Sequence, residues 1–287
     1  MLQYQIPYKG NYFNAYSLNL ELDQSSIYFS HANGFNGLAY QSLLNKISDN
    51  QKIIAYDMRG HGKSTIPAEP GKLKSWHRYS DDLIGILQKN KTPSILIGHS
   101  LGGTTSLLTA LKRPDLVSKI ILIDPVLLPL SYWLGIKAIQ SLGLIEKIHP
   151  MVRSALKRKK TWTSKDEAYK YFLSKKLFRK VIPEAISNYI DGGIKKIDKN
   201  LYGLSCDPKW EAATFRLTAG EIWFNLKKSD IPTKLILTPN SFVCNKKSQK
   251  KLAQYLSIMD IVTLKDTTHM LPLEDIDGVS NEILSFL

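Results

Sequence analysis

The chain has 287 residues, 43% of them hydrophobic, and a formal net charge of +14. This length suits one α/β domain that carries a large insertion, with enough apolar residues for a sizeable core. Only two cysteines are present, Cys206 and Cys244, and they lie far apart, which argues against a disulfide framework and a zinc site. No stretch approaches the ~20 apolar residues that span a bilayer, and residues 1–7 lack the pattern of a secretory signal, so we expect a cytoplasmic protein.

The first predicted elements are strands. Residues 2–7 and 12–18 flank a Lys-Gly-Asn turn and predict a hairpin. A third strand over 26–30 leads into the loop His-Ala-Asn-Gly-Phe-Asn-Gly of residues 31–37, which precedes a predicted helix. A loop in this position can turn a backbone N–H toward a nucleophile, and we select Asn33 as that oxyanion donor. The alternative is a tight Asn-Gly turn with no further role.

Residues 52–56 predict a further strand, which ends in the loop Asp-Met-Arg-Gly-His-Gly-Lys-Ser of residues 57–64. Loops of this kind gather at the functional edge of an α/β sheet. We expect Arg59 and His61 to fix the conformation of the loop rather than to react. A helix over 76–88, with an apolar stripe along one face, leads back to the sheet.

Residues 94–113 are the stretch around which the chain is organised. A short apolar run over 94–97 meets Gly-His-Ser-Leu-Gly at 98–102, and leucines at helical spacing follow. This order predicts a strand, a sharp turn and a helix, with Ser100 exposed at the turn and glycines where the backbone passes closely. Ser100 is therefore the candidate nucleophile. The free N–H of Leu101, at the start of the helix, is a second candidate oxyanion donor.

The next buried strand covers 119–123 and ends at Asp124. The alternation of strands and helices predicts parallel strands joined by right-handed crossovers. Because consecutive strands are usually neighbours, we expect Asp124 to lie at the same edge of the sheet as Ser100.

Residues 126–232 break this alternation and predict a helical cap. Helical patterns occur around 132–145, 165–178, 184–190 and 210–220, with no convincing strand between them. The segment leaves the carboxyl end of a strand, so we expect it to lie over Ser100 as a lid. Most of its many aromatic residues are expected to form its own core, and a few to line an apolar pocket.

The cap segment also carries much of the positive charge, with twenty Lys and Arg against ten Asp and Glu. A basic cluster can bind nucleic acid, an anionic membrane surface or an acidic substrate, but a solvated face is the simpler interpretation. No nucleic-acid-binding motif accompanies it, so we expect no nucleic-acid partner and at most weak contact with an anionic surface. The densest cluster comprises Arg153, Lys157, Arg158, Lys159 and Lys160.

The sheet is predicted to resume with a strand over 234–238, a helix over 246–256 and a last strand over 261–264. The chain then closes with a helix over 276–287. A serine nucleophile needs a base, usually a histidine held by a carboxylate. Of the six histidines, His269 alone follows the final strand and precedes the closing helix, so it is the candidate general base.

These motifs together resemble the α/β-hydrolase superfamily, in particular its capped, esterase-like branch. The resemblance covers nearly the whole predicted core and implies a triad in the chain order serine, acid, histidine. It rests on an oxyanion loop at 31–34, an Asp-x-Arg-Gly-x-Gly-x-Ser loop at 57–64, a nucleophile elbow at 98–103 and a catalytic-histidine loop with His269, Pro272 and Glu274.

The acid departs from the commonest pattern of that superfamily. Members usually carry it in a Gly-x-x-Asp loop after the strand that corresponds to 234–237, but residues 238–244 here contain no carboxylate. Some relatives place the acid one strand after the nucleophile, a position that Asp124 occupies. We therefore assign Asp124 as the acid, since Asp266 lies too close along the loop to turn back onto His269.

The sequence thus predicts an α/β-hydrolase fold with a mostly parallel eight-stranded sheet flanked by helices. The core comprises 1–125 and 233–287, and the cap comprises 126–232. The predicted function is a serine hydrolase acting on a carboxylic ester or related acyl compound, an apolar small molecule, without cofactor or metal. One alternative is the same triad acting on a thioester, a lactone or a C–C bond, and another is a non-catalytic binding protein on a hydrolase scaffold.

Overall fold

The computed structural model describes residues 1–22 and 26–287. Its strands alternate with helices through most of the chain, as expected for an α/β protein. In chain order the strands are β1 (Leu2–Tyr8), β2 (Asn11–Leu18), β3 (Ile27–Ser30), β4 (Ile53–Tyr56), β5 (Ser94–His99), β6 (Val117–Ile123), β7 (Thr161–Trp162), β8 (Ile194–Asp198), β9 (Leu201–Leu204), β10 (Thr233–Leu237) and β11 (Met259–Thr263).

Short 3₁₀ helices lie at Gly37–Tyr40, Pro70–Lys72, Pro114–Leu116 and Lys176–Phe178. The α-helices are α1 (Gln41–Lys46), α2 (His77–Leu87), α3 (Leu101–Lys112), α4 (Leu130–Ser141), α5 (Ile145–Ile148), α6 (Pro150–Leu156), α7 (Lys165–Leu173), α8 (Pro183–Gly193), α9 (Pro208–Arg216), α10 (Ile222–Asn225), α11 (Lys246–Leu252), α12 (Leu271–Glu274) and α13 (Ile276–Leu284).

The main sheet has eight strands in the order β1-β2-β4-β3-β5-β6-β10-β11. The β1-β2 and β2-β4 pairs are antiparallel, and every other pair in this sheet is parallel. Parallel strands present their carboxyl ends at one edge, where ligands bind in α/β folds. The fold predicted from the sequence, a mostly parallel eight-stranded sheet flanked by helices, is confirmed.

Both faces of the main sheet are covered, which explains the apolar runs in its central strands. Adjacent strand residues point to opposite faces: Leu96 packs in one hydrophobic cluster and Ile97 in the other. The cluster around Leu96 includes residues of α2 and α3, whereas the cluster around Ile97 includes residues of α1 and α13. The sheet is therefore a rigid central layer, and the loops at its carboxyl edge are held by that layer.

Residues 126–232, the cap segment, lie in the chain between β6 and β10 and contain α4 to α10. The expectation that this segment has no strand was wrong, because β7, β9 and β8 form a second, antiparallel sheet. Its strands are short, and in β8 only Ile194 is buried. Such a strand shows no extended alternation of apolar and polar residues, which is the signal that identifies strands in a sequence.

Helix boundaries in the cap segment also differ from the prediction. Helix α9 begins at Pro208, with Asp207 accepting a hydrogen bond from the Lys209 N–H at 2.7 Å, rather than at 210. Helix α6, which was not predicted, starts with Pro150 after His149, whose ring accepts from the Val152 N–H. Both starts follow the usual pattern of a cap residue and then proline. Among the described residues, no helix is long and apolar enough to cross a membrane.

Candidate active site

Ser100 lies at the turn between β5 and α3, with φ 56° and ψ −116°. A residue other than glycine is strained there, and such strain persists only where the surroundings enforce it. Glycine is required on both sides: a Cβ on Gly102 would lie 2.0 Å from the Ser30 carbonyl oxygen, and one on Gly98 would lie 2.3 Å from the Gly102 carbonyl carbon. The tight contact between the turn and β3 thus fixes the Ser100 backbone.

The structure brings Ser100, His269 and Asp124 together from three separate turns. Ser100 Oγ lies 2.9 Å from His269 Nε2, and His269 Nδ1 lies 2.6 Å from Asp124 Oδ2. The Asp124 side chain is 1% exposed and that of His269 is 25% exposed, so the carboxylate is the buried end of the series. A serine, a histidine and a carboxylate in this order can generate a nucleophile and hold the charged imidazole.

Asp124 follows β6 directly and has a left-handed φ of 40°. Two backbone hydrogen bonds position the strand ends, from Asp124 N–H to Ile236 O at 2.9 Å and from Ser100 N–H to Ile123 O at 3.0 Å. Adjacent strands therefore place the two side chains at one edge of the sheet. It is Asp124, and not the nearby Asp266, whose carboxylate binds His269 Nδ1, and the Asp266 carbonyl oxygen accepts a hydrogen bond from Lys180 at 2.6 Å.

Cys244 occupies the loop where a carboxylate would be expected from the commonest pattern. Its thiol is buried and lies near Asp124. Burial, and then the charge of Asp124, raise the pKa of Cys244 to about 12. The side chain is therefore a neutral thiol at pH 7 and acts there as a small apolar group.

The two predicted oxyanion donors differ in how the structure supports them. Leu101 begins α3, and the first N–H groups of a helix have no partner within it. Asn33 lines the same cavity as Ser100, and no acceptor for its N–H occurs in residues 1–22 and 26–287. The N–H groups of Ala32 and Gly34 do have acceptors, Tyr40 Oη at 3.2 Å and His61 Nε2 at 3.0 Å. The Asn33 N–H is thus available to a ligand.

Two buried histidines hold the loop that contains Asn33. His61 donates from Nδ1 to Arg59 O at 2.9 Å and accepts at Nε2 from Gly34 N–H. His31 donates from Nδ1 to Ala32 O at 2.8 Å and accepts at Nε2 from the N–H of Met58. Both patterns require a neutral ring, and burial lowers the pKa of His61 to about 4 and that of His31 well below its usual range.

The side chain of His99 does not bind its neighbour Ser100 but Tyr40 and the histidine loop. Tyr40 connects it to the oxyanion loop: Ala32 N–H donates to Tyr40 Oη, and the hydroxyl donates to His99 Nδ1 at 2.7 Å. His99 Nε2–H then donates to the carbonyl oxygen of His269 at 2.7 Å. This hydrogen-bond chain links the oxyanion loop to the histidine loop, and burial holds the pKa of His99 well below its usual range. Sequence reasoning missed Tyr40, since a single tyrosine carries no motif.

The loop over 57–64 has the structural role that the sequence predicted for Arg59 and His61. Arg59 forms a buried ion pair with Asp82, with nitrogen–oxygen distances of 2.6 and 2.7 Å. Asp57 accepts hydrogen bonds from Asn14 and from the N–H groups of Gly37 and Lys63. Burial nevertheless raises the pKa of Asp57 to about 6.

A cavity of about 580 Å³ opens beside Ser100, within the usual range for small-molecule sites. The sheet edge and the cap segment both line it, and the cap contributes mainly apolar and aromatic side chains. Arg158 and Glu211 also line it, but they form an ion pair at 2.7 Å, and Arg158 also contacts the Tyr189 hydroxyl. The apolar lining comprises Ala32, Phe35, Met151, Ala155, Tyr171, Phe172, Leu177, Phe178, Phe215 and Met270.

Helix α9 attaches the cap segment to the core loops beside this cavity. Trp210 Nε1 donates to Arg59 O at 3.0 Å, and Asn33 Nδ2 donates to Glu211 O at 3.2 Å. The Trp76 indole of the core donates in turn to Thr214 O at 3.1 Å. The oxyanion loop is therefore supported from the cap as well as from the core. In the described ranges, no group of three or more His, Cys, Asp and Glu side chains is arranged to hold a metal ion.

The family described as serine aminopeptidase, S33, matches residues 24–275. Over 97 residues the chain is 36% identical to 2-(acetamidomethylene)succinate hydrolase of Mesorhizobium japonicum, covering 33% of this chain and 34% of that protein. Over 151 residues it is 31% identical to sn-1-specific diacylglycerol lipase ABHD11 of Mus musculus, covering 50% and 47%. The matched part spans about a third to a half of these relatives.

The resemblance in three dimensions extends over the whole chain. The crystal structure of E-2-(acetamidomethylene)succinate hydrolase superposes with a TM-score of 0.78 at 19% identity, covering 99% of this chain and 98% of that one. At this identity the likeness concerns the fold. The family match over most of the sequence, together with this fold, shows that the chain belongs to the S33 serine aminopeptidase family of α/β hydrolases.

Proposed function

We propose that this chain is a serine hydrolase that cleaves a carboxylic ester or a related acyl substrate through an acyl-enzyme intermediate. The observation that carries the proposal is the continuous contact from Ser100 Oγ through both ring nitrogens of His269 to Asp124 Oδ2, at 2.9 and 2.6 Å. A serine hydroxyl is a weak nucleophile at neutral pH and reacts when an adjacent base accepts its proton.

In the first step, His269 Nε2 accepts the Ser100 proton while Oγ attacks the carbonyl carbon. Asp124 accepts a hydrogen bond from Nδ1–H, which selects the reactive tautomer and stabilises the imidazolium. The N–H groups of Leu101 and Asn33 stabilise the tetrahedral oxyanion, and one such donor is typically worth ~3–4 kcal/mol. The imidazolium then protonates the leaving alcohol, and a water molecule activated by His269 hydrolyses the acyl-enzyme.

The cavity supports an apolar substrate of moderate size. Seven of the twelve cap residues that line it are apolar or aromatic, and Arg158 and Glu211 form an ion pair whose charges compensate each other. The two remaining charged lining residues are Lys157 and Lys175. The names of the relatives support hydrolysis as the general reaction, but a succinate derivative and a diacylglycerol are chemically distant substrates. Because fold and triad do not determine substrate, thioesters and lactones belong in the same assay panel.

The non-catalytic alternative rested on the missing carboxylate in residues 238–244. The position of Asp124, 2.6 Å from His269, removes that motivation and favours an enzyme. The strained backbone of Ser100 also favours an enzyme, because backbone strain of this kind is common at functional sites.

The test is covalent labelling with a fluorophosphonate, which captures an activated serine, followed by mass measurement of the intact protein. Ser154 lines the same cavity but has no hydrogen bond to a histidine within residues 1–22 and 26–287, so Ser154→Ala is the matched control for Ser100→Ala. We expect one adduct on the natural chain and on Ser154→Ala, and none on Ser100→Ala. An adduct that persists on Ser100→Ala, or a folded natural chain that neither reacts nor hydrolyses p-nitrophenyl acetate, would refute the proposal.

A further inference from the structure

Helix α4 and the residues that follow it are apolar but exposed. Between positions 126 and 145 the chain has a single charged residue, Lys137. Only Ile136 of α4 is buried, while Leu134 and Leu142 are 52% and 70% exposed. A helix that is apolar on most of its surface is normally covered by protein or by lipid. The exposed side of α4 is therefore an apolar surface that is suited to contact with lipid or with another protein.

The same stretch of chain carries an excess of positive charge. Residues 126–160 contain seven Lys or Arg, of which Arg158 and Lys159 are paired with Glu211 and Glu167, and one acidic residue, Glu146, which is paired with Arg216. Lys137, Lys147 and Arg153 are exposed. An apolar surface bordered by cations is complementary to the headgroups and upper acyl region of an anionic lipid layer.

The length of α4 restricts how it could enter lipid. It has 12 residues, which at ~1.5 Å per residue is about 18 Å, well short of the ~30 Å hydrocarbon core. Among the described residues, no helix, α4 included, is long and apolar enough to cross a membrane. A helix of this size and composition lies in the membrane interface, parallel to its surface.

The exposed apolar residues continue to the mouth of the active-site cavity. Met151 and Leu177 are both exposed, and both line that cavity. Phe242 is 70% exposed, and its ring centroid lies 6.4 Å from that of His269. Met151 and Leu177 thus connect the exposed apolar surface of the cap segment with the cavity that contains Ser100.

We propose that the lipid-binding face, formed by Tyr132, Leu134, Leu142, Ile148 and Met151 with the cations around them, docks on an anionic phospholipid membrane. A second copy of the chain is a poorer occupant. A symmetric dimer through this face would place the same cations against one another. Docking on lipid instead pairs these cations with phosphate groups. The docking itself needs no catalysis, and only the delivery of a lipid-borne acyl substrate rests on the proposed function.

The test is co-sedimentation of the full chain with vesicles of phosphatidylcholine alone and with vesicles of equal parts phosphatidylcholine and phosphatidylglycerol. We expect binding to the mixed vesicles that weakens at high salt. The double variant Leu134→Asp with Leu142→Asp should lower the partition on the order of tenfold or more, because both side chains lose apolar contact with lipid. The matched control is Leu2→Asp, an equally exposed leucine, 62%, on edge strand β1.

Two further measurements separate this proposal from the proposed function. Ser100→Ala should bind vesicles like the natural chain, and the double variant should keep its melting temperature and its hydrolysis of p-nitrophenyl acetate. Absence of binding to mixed vesicles, or an equal loss in Leu2→Asp, would overturn the docking proposal. A concentration-dependent dimer that the double variant abolishes would overturn it too, in favour of a second copy.

Discussion

The two walls of the cavity around Ser100 are built differently. On the sheet side, Ser100 and Asp124 follow strands directly and have backbone angles that few residues adopt. On the cap side, Phe172 and Phe215 belong to helices α7 and α9 of the cap segment. The sheet wall therefore depends on backbone geometry, whereas the cap wall depends on side-chain size and shape. Substitutions on the sheet side should change kcat, and substitutions on the cap side should change KM.

The largest expected effect is at the carboxylate. Asp124→Asn keeps the shape of the side chain but leaves His269 in the wrong tautomer, so kcat should fall by ~10⁴. Steady-state hydrolysis of p-nitrophenyl acetate measures this. Asp266→Asn is the control from the histidine loop and should retain activity. Near-normal turnover by Asp124→Asn would remove Asp124 from the mechanism.

The second prediction concerns the hydrogen-bond chain behind the sheet wall. Tyr40→Phe leaves the Ala32 N–H without its acceptor and His99 Nδ1 without its donor. The oxyanion loop and the His269 loop should both loosen, lowering kcat by about 10²-fold with little change in KM. Tyr28→Phe, which removes a hydroxyl bonded to Asn90, is the matched control. An increase in KM alone would assign Tyr40 to substrate binding instead.

The third prediction is a pH dependence of stability. The folded protein lowers the pKa of His61 to about 4, so between pH ~6.5 and ~4 the unfolded chain binds more protons and stability falls as pH falls. Between pH 6.5 and pH 5, His61 alone lowers the free energy of unfolding by about 2 kcal/mol. The pKa of Asp57, raised to about 6, has the opposite effect, because it makes the folded protein more stable as pH falls. The lowered pKa values of His31 and His99 reduce stability at low pH, as that of His61 does.

His61→Gln tests that prediction, because its amide oxygen can still accept from Gly34 N–H but the side chain does not titrate. Thermal unfolding at pH 7 and pH 5 should show a smaller loss of melting temperature in His61→Gln than in the natural chain. An identical loss in both would show that His61 does not contribute to the acid sensitivity.

The smallest expected effect belongs to the cap wall. Phe215→Ala removes an aromatic side chain from the cavity, so KM for a long-chain ester should rise about tenfold while kcat for p-nitrophenyl acetate stays the same. Phe224→Ala, an exposed aromatic of the cap outside the cavity, is the control. A fall in kcat for the short ester would mean that the cap wall also takes part in orienting the reacting groups.

The same contrast explains how much the sequence could predict. The parallel sheet was predictable because strands buried on both faces are apolar runs separated by helices of clear period. The contacts of Ser100, Asp124 and His269 could be anticipated because each follows a strand and parallel strands share an edge. The glycines at 98 and 102 made the sharp turn at Ser100 predictable, because only glycine fits beside the Ser30 carbonyl.

The cap wall was much harder to predict. The second sheet pairs residues of β7 with β9 some forty positions away, and its exposed lysines hide the strand pattern. The ion pair of Arg158 with Glu211 joins α9 to residues near the end of α6. Such pairings depend on how helices pack within an irregular segment, and local periodicity carries no signal for them. Arg158 was noted only as one cation in a basic cluster.

The location of Asp124 before the cap segment relieves the loop after β10 of supplying the carboxylate, although Thr238 Oγ1 still donates to Thr267 O at 2.6 Å and so ties the start of that loop to the histidine loop. Residues 238–244 carry the buried Cys244 and the exposed Phe242, whose ring centroid lies 6.4 Å from that of His269. The Val243 carbonyl oxygen accepts a hydrogen bond from Leu127 N–H at 2.8 Å. In a relative whose acid lies in that loop, changes of length there would displace the triad. In this chain residues 239–242 lie between the Thr238 and Val243 contacts and supply no carboxylate to His269, so this stretch is a favourable region for directed evolution of substrate choice.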